Sequence, residues 1–306
     1  MQTPFRSAIA ALALALFVTA PAFATVPPPL PAATATFDVG SLHVQQFGSG
    51  AKSLIFIPGL TCGPWEWSGE IARLAPHYTI YALTLPGFDG RPSVDAPLFP
   101  RVTADIWTLI EQKHIDRPIV IGHSLGGTTG FMLATQHPER LGGVIALDGL
   151  PIYPTDVFST PDKIAAMADA AAAKMAAIPQ ARFAAYEKSG SIPYLVTAPA
   201  DVDAIATLAG TSDPKAAAQW FKEDVELDLR PQLAKATVPI VLLAPYDGAL
   251  EGTYLPTAAA KRSFYAEIVK NAPNASVVVI PNARHFAMYD QPKAVSDAID
   301  AFLAAH

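Results

Sequence analysis

Cysteine is almost missing from this chain: Cys62 is the only one among 306 residues. No internal disulfide can form, so the fold must hold by its core alone. Charge is also sparse. Lys, Arg, Asp and Glu together make 16% of the residues, with 21 basic against 27 acidic side chains and no Lys/Arg cluster. That excludes the basic stripe expected of a nucleic-acid binder or of a protein that docks on an anionic membrane. No apolar run reaches the roughly 20 residues needed to span a bilayer. There is no internal repeat, and no His/Cys/acid spacing of the kind that holds zinc. The sequence therefore predicts neither a metal nor an organic cofactor, and a small molecule as partner.

What is present is apolar and well ordered. Hydrophobic residues make 51% of the chain. The first apolar run, Ala8–Val18, follows Arg6 and precedes Ala22-Phe23-Ala24. This is the layout of a cleavable secretory signal over residues 1–24, which predicts a periplasmic or secreted protein. Residues 25–35 hold four prolines among small residues and read as an extended leader. Beyond them, short apolar runs alternate with helical patterns. Strands are expected at Thr36–Val39, Leu42–Phe47, Leu54–Pro58, Tyr78–Thr84, Pro118–Gly122, Leu141–Asp148, Val238–Ala244 and Ser276–Ile280. Helices are expected at Trp65–Ala75, Val102–His114, Leu125–His137, Pro256–Lys270 and Pro292–Ala304.

The strands are almost continuous Val, Ile and Leu, as in a parallel sheet covered on both faces. The reading is an α/β protein: a doubly wound, mostly parallel eight-stranded sheet with helices on both faces. The alternation lapses over residues 151–235, an Ala-rich stretch with helix-start signals at Thr160-Pro161 and Asp213-Pro214. We read it as a helical cap inserted into a core of residues 36–150 and 236–306. Such a cap sits over the carboxyl ends of the strands, where open α/β sheets bind ligands.

One motif carries chemistry. Gly122-His123-Ser124-Leu125-Gly126 is G-x-S-x-G between an expected strand and an expected helix. The serine of such an elbow occupies a sharp turn, and the flanking glycines let strand and helix approach closely. Ser124 is thus the candidate nucleophile. The Leu125 N–H opens the next helix, where a negative charge is favoured. A second donor is expected from the Leu60 N–H, after Pro58-Gly59, so Leu60 and Leu125 are the candidate oxyanion hole. His285 follows the last strand and is the candidate base; the other histidines sit in strands, turns or helix ends. The acid is expected to be Asp247, just past the strand before, which gives the chain order Ser, Asp, His. Asp148, at the end of the preceding strand, is the alternative acid. Trp65, Phe88, Tyr153, Tyr194 and Tyr246 are candidates to line the pocket. The acids of the cap, Glu187, Asp201, Asp203, Glu223, Asp224 and Glu226, read mostly as solvated helix faces.

These residues resemble the α/β-hydrolase superfamily: GHSLGG at Gly122–Gly127, Pro58-Gly59-Leu60, Leu85-Pro86-Gly87-Phe88 and Arg284-His285-Phe286. Pro58-Gly59-Leu60-Thr61-Cys62-Gly63 and Leu147-Asp148-Gly149-Leu150-Pro151 are more narrowly similar to exported bacterial hydrolases with a helical cap. The resemblance implies a serine hydrolase acting through an acyl-enzyme. A carboxylesterase on small or medium acyl esters is the first choice. Aminopeptidase, lactonase, lyase and perhydrolase activities use the same triad, and a low-turnover binding protein is a further alternative.

Overall fold

The computed structural model describes residues 27–306. The expected secretory signal and the first residues of the expected leader lie outside the described residues. Eight strands form one sheet: β1 (Ala35–Val39), β2 (Leu42–Phe47), β3 (Ser53–Ile57), β4 (Thr79–Thr84), β5 (Ile119–His123), β6 (Gly143–Leu147), β7 (Ile240–Tyr246) and β8 (Ala275–Pro281). Their spatial order is β1-β2-β4-β3-β5-β6-β7-β8. β1 pairs antiparallel with β2, and β2 with β4; every other pairing is parallel. The eight-stranded, mostly parallel sheet read from the sequence is therefore present.

Among the described residues twelve α-helices accompany the sheet. They are α1 (Ser68–Leu74), α2 (Leu98–Gln112), α3 (Leu125–Gln136), α4 (Pro161–Ala176), α5 (Gln180–Ser189), α6 (Ile192–Leu195), α7 (Pro199–Ala209), α8 (Pro214–Glu226), α9 (Gly248–Glu251), α10 (Ala258–Val269), α11 (Ala287–Asp290) and α12 (Pro292–Ala305). Because successive strand residues point to opposite faces, an unbroken apolar strand feeds two cores at once. Ile55, Ile57, Val120 and Val144 enter one core with α2 and α3. Leu54, Phe56, Ile121 and Ile145 enter the other with α1 and α12. Leu30 and Ala33, in the proline-rich leader, pack against the second core.

Two boundaries differ from the expectation for physical reasons. The helix expected over Trp65–Ala75 begins as a tight 3-10 turn, Pro64–Trp67, before α1. Helix α2 begins at Leu98, ahead of the expected Val102. Pro100 falls in its first turn, where a missing N–H costs nothing. The free Leu98 and Phe99 N–H groups both donate to the carboxylate of Glu223, on α8. A cap supplied from so far along the chain leaves no local signal.

Helices α4 to α8 all lie between β6 and β7. The two ends of this insert meet, with Ile152 bridging to Asp228 and the Leu229 N–H donating to the Pro151 carbonyl at 2.7 Å. The insert is fixed to the core by specific polar contacts. The Trp220 indole N–H donates to the Pro86 carbonyl, and the Ser212 hydroxyl donates to the Thr61 carbonyl. Among the described residues no helix is long and apolar enough to cross a membrane.

The elbow at the end of β5 depends on missing side chains. A Cβ on Gly122 would lie 2.2 Å from the Gly126 carbonyl oxygen, and one on Gly126 would lie 2.2 Å from the Ile57 oxygen. Both obstacles are backbone and cannot step aside. Gly122→Ala is expected to cost about 1–3 kcal/mol through overpacking, read as a lower urea midpoint with an unchanged slope.

Candidate active site

Ser124 stands between β5 and α3 with φ 52° and ψ −122°. A non-glycine residue held in that region costs about 1–3 kcal/mol, a strain that clusters at functional sites. The Ser124 N–H donates to the Leu147 carbonyl at 2.9 Å, which ties the elbow to the top of β6. Asp148 follows on β6, also at positive φ, as does Thr61 in the loop after β3. All three line one cavity of about 590 Å³, together with Gly59, Leu60 and His285. That volume suits a small or medium ligand.

His285 Nδ1 lies 2.6 Å from Asp148 Oδ2. The other Asp148 oxygen accepts from the Tyr265 hydroxyl at 2.7 Å. The carboxylate is therefore fully engaged. Burial works against its charge, but the bond to His285 and the charges of His285 and Lys261 prevail and hold it at about 2. An ionised acceptor at Nδ1 fixes the proton there and leaves the Nε2 lone pair free. Burial, followed by the charge of neighbouring His123, lowers His285 below its ordinary value, while Asp148 acts in the opposite sense.

The expected acid, Asp247, is not at the histidine. One of its oxygens accepts from the Arg284 Nε at 2.7 Å. The other accepts from the Ala249 N–H at 3.0 Å, capping α9. The Arg284 guanidinium also donates to the carbonyls of Pro193 and Val196 in the insert. Asp247 thus pins the loop that carries His285, and the alternative, Asp148, takes the histidine. Strand order explains the correction. β6 is the direct neighbour of β5, with His123 beside Leu147, so Asp148 emerges next to Ser124. Asp247 emerges one strand further away and beside an arginine.

Sequence reading missed a second pair below this one. Glu66 and His123 are each 1% exposed. His123 Nδ1 lies 2.5 Å from Glu66 Oε1, and His123 Nε2–H donates to the His285 carbonyl at 2.9 Å. The second Glu66 oxygen accepts from the Gly59 N–H at 2.9 Å. Burial disfavours the His123 charge, but the adjacent Glu66 overrides it and raises the pKa. A Cβ on Gly59 would come within 3.0 Å of His123 and 3.3 Å of Glu66, so the glycine makes room for the pair. Leu60 and Leu125 carry the two backbone donors proposed for an oxyanion; neither N–H has a backbone acceptor among the described residues.

The aromatic lining differs from expectation. Tyr153 lines the cavity, with Tyr186, Phe221 and Phe286, which were not foreseen. Trp65 and Phe88 are buried in the core, Phe88 against Trp220. Tyr246 is buried and donates to the Leu255 carbonyl. Tyr194 is 64% exposed and away from the cavity. The acids of the insert also depart from solvated faces. Asp201 and Glu187 are buried, Asp224 lines the cavity and Glu223 caps α2; only Asp203 and Glu226 fit the expectation. Cys62 is buried, and burial with the adjacent Glu66 pushes its thiol well up, which marks an inert thiol.

Glu66→Gln removes the carboxylate that keeps the second proton on the pair and leaves a neutral imidazole against an amide. The expected loss is about 1–3 kcal/mol, measured by chemical denaturation.

Comparison with known proteins agrees with the fold. The model of a family described as "Alpha/beta hydrolase family" matches residues 54–298. The pimeloyl-[acyl-carrier protein] methyl ester esterase of Pectobacterium atrosepticum is 26% identical over 273 residues, covering 87% of this chain and all of that one. A thermophilic esterase from Thermogutta terrifontis, solved with malate bound, superposes with a TM-score of 0.72 at 17% identity, over 89% of this chain and 98% of that one. The enol-lactonase from Burkholderia xenovorans LB400 superposes with a TM-score of 0.68 at 20% identity, over 90% of this chain and all of that one.

Proposed function

Because the chain belongs to the alpha/beta hydrolase family, we propose that it is a serine hydrolase of carboxylic esters, with Ser124 as nucleophile, His285 as base and Asp148 as orienting acid. The observation that carries this reading is the Asp148–His285 contact in the same cavity as the strained Ser124. The methyl ester esterase named among the relatives supports ester substrates.

In the reaction, His285 Nε2 takes the Ser124 proton as the hydroxyl oxygen attacks the ester carbonyl. The carbonyl oxygen becomes an oxyanion and accepts from the Leu60 and Leu125 N–H groups, each worth about 3 kcal/mol at the transition state. Imidazolium His285 then protonates the departing alcohol, and the acyl group stays on Ser124. Water, deprotonated by His285, releases the acid and restores the hydroxyl. Asp148 holds the imidazole tautomer and stabilises the imidazolium throughout. Helices α4–α8 serve as the cap that shapes the acyl site. The Met1–Ala24 segment directs export and is cleaved after Ala24.

Three substitutions and a pH profile test the assignment. Ser124→Ala abolishes the p-nitrophenol burst on short p-nitrophenyl esters. Asp148→Asn lowers kcat about 10,000-fold by presenting the wrong tautomer partner. Asp247→Asn loses a partly exposed ion pair worth at most about 1 kcal/mol and keeps kcat within about tenfold. If the two Asn variants exchange these effects, the acid is Asp247 after all. The base must be neutral to accept a proton, and the folded environment lowers His285. The acid limb of kcat/KM therefore falls below pH 6.5, the ordinary histidine value.

A further inference from the structure

We propose that the cavity above Ser124 selects substrates bearing a protonated amine, attracted by the carboxylates of Glu187 and Asp224 that line it. This rests on the hydrolase reading and adds a substrate class to it. The two acids come from separate helices, Glu187 from α5 and Asp224 from α8, yet both line the cavity that holds Ser124 and His285. Glu187 is 5% exposed. Its Oε2 accepts from the Ser191 hydroxyl at 3.3 Å, and among the described residues no protein group donates to Oε1. Asp224 is approached by the Thr128 hydroxyl.

Neither acid is within ion-pair reach of a Lys or Arg among the described residues, in contrast to four other acids of the insert. Asp169 and Glu226 pair with Lys222, Asp203 with Lys188, and Asp228 with Arg230. Of the acids of the insert that form no such pair among the described residues, Glu187 and Asp224 line the cavity. Lys174 also lines it, but is exposed and forms no ion pair with either.

An enclosed carboxylate without a counter-ion is costly. Burial raises both carboxyls, Asp224 to about 7. A bound ammonium ion supplies the absent charge and recovers that cost. Tyr153 and Phe221 lie beside each other in the same wall, and Tyr186 precedes Glu187. Their ring faces suit a cation on an alkyl chain. A neutral acyl chain finds the apolar lining but gives the carboxylates nothing, and an anionic chain meets repulsion.

The test compares p-nitrophenyl hexanoate, the 6-aminohexanoate ester and the adipate monoester at one pH. In the wild-type protein kcat/KM for the amino ester exceeds that for the hexanoate by about tenfold or more. In Asp224→Asn and in Glu187→Gln that ratio falls toward one. Equal values for the two esters, a preference for the adipate monoester, or a ratio that survives both substitutions would overturn the proposal. Hexanoate turnover with a burst leaves the hydrolase reading standing in each of those cases. Calorimetric titration with hexylammonium chloride reads the same subsite without turnover. Binding that weakens in Asp224→Asn supports the amine site even if no ester is cleaved, and absence of binding to the wild-type protein rejects it.

Discussion

Three separate loops meet on the buried pair formed by Glu66 and His123. Glu66 accepts from Gly59, the residue before one proposed oxyanion donor. His123 directly precedes Ser124 in the elbow. The same imidazole donates to the main-chain carbonyl of His285. A carbonyl only accepts, so His123 Nε2 must carry a proton, and a second proton lies between Nδ1 and the carboxylate. The pair therefore holds two protons and no net charge, in either arrangement. That neutrality is what makes an otherwise costly burial tolerable. It also sets the distances among elements that the sheet alone would not fix, since each loop leaves a different strand.

The sheet supplies the coarse alignment. Parallel strands deliver Ser124, Asp148 and Asp247 to one edge, from β5, β6 and β7 in spatial sequence. The insert closes that edge and is bolted down at several points: Trp220 to Pro86, Ser212 to Thr61, Arg284 to Pro193 and Val196. All four bonds end on main-chain carbonyls of the core or the insert, so their partners survive substitution of the residue that carries the oxygen. Polar groups here locate the insert, and the apolar faces of α4 and α8 stabilise it.

Much of this was legible in residues 36–306. Continuous Val/Ile/Leu strands required two covered faces, and the two cores show why: alternate residues of one strand serve both. The elbow was legible because its glycines have no substitute. The partner of His285 was less so. Both Asp148 and Asp247 end a strand and precede a glycine, and both give the order Ser, Asp, His, so chain order does not separate them. The deciding fact was Arg284, whose charge claims Asp247 at 2.7 Å. Arg284 adjoins His285 in the sequence, and its charge requires a carboxylate of its own, which leaves Asp148 for the imidazole. Glu66 gave no such hint. Pro64-Trp65-Glu66-Trp67 reads as the first turn of an amphipathic helix, and only the tight 3-10 turn rotates the carboxylate inward beneath Gly59. The insert acids fail for a related reason: helical periodicity tells which residues share a face, but not whether that face meets solvent or an internal cavity.

Asp247 is anchored to the residue next to His285, although the histidine itself is served from β6. The scaffold thus keeps two carboxylates tethered to one short loop, one through the imidazole and one through the guanidinium. Either tether alone still ties the segment to the sheet, so the loop keeps an anchor when one of the two carboxylates is lost.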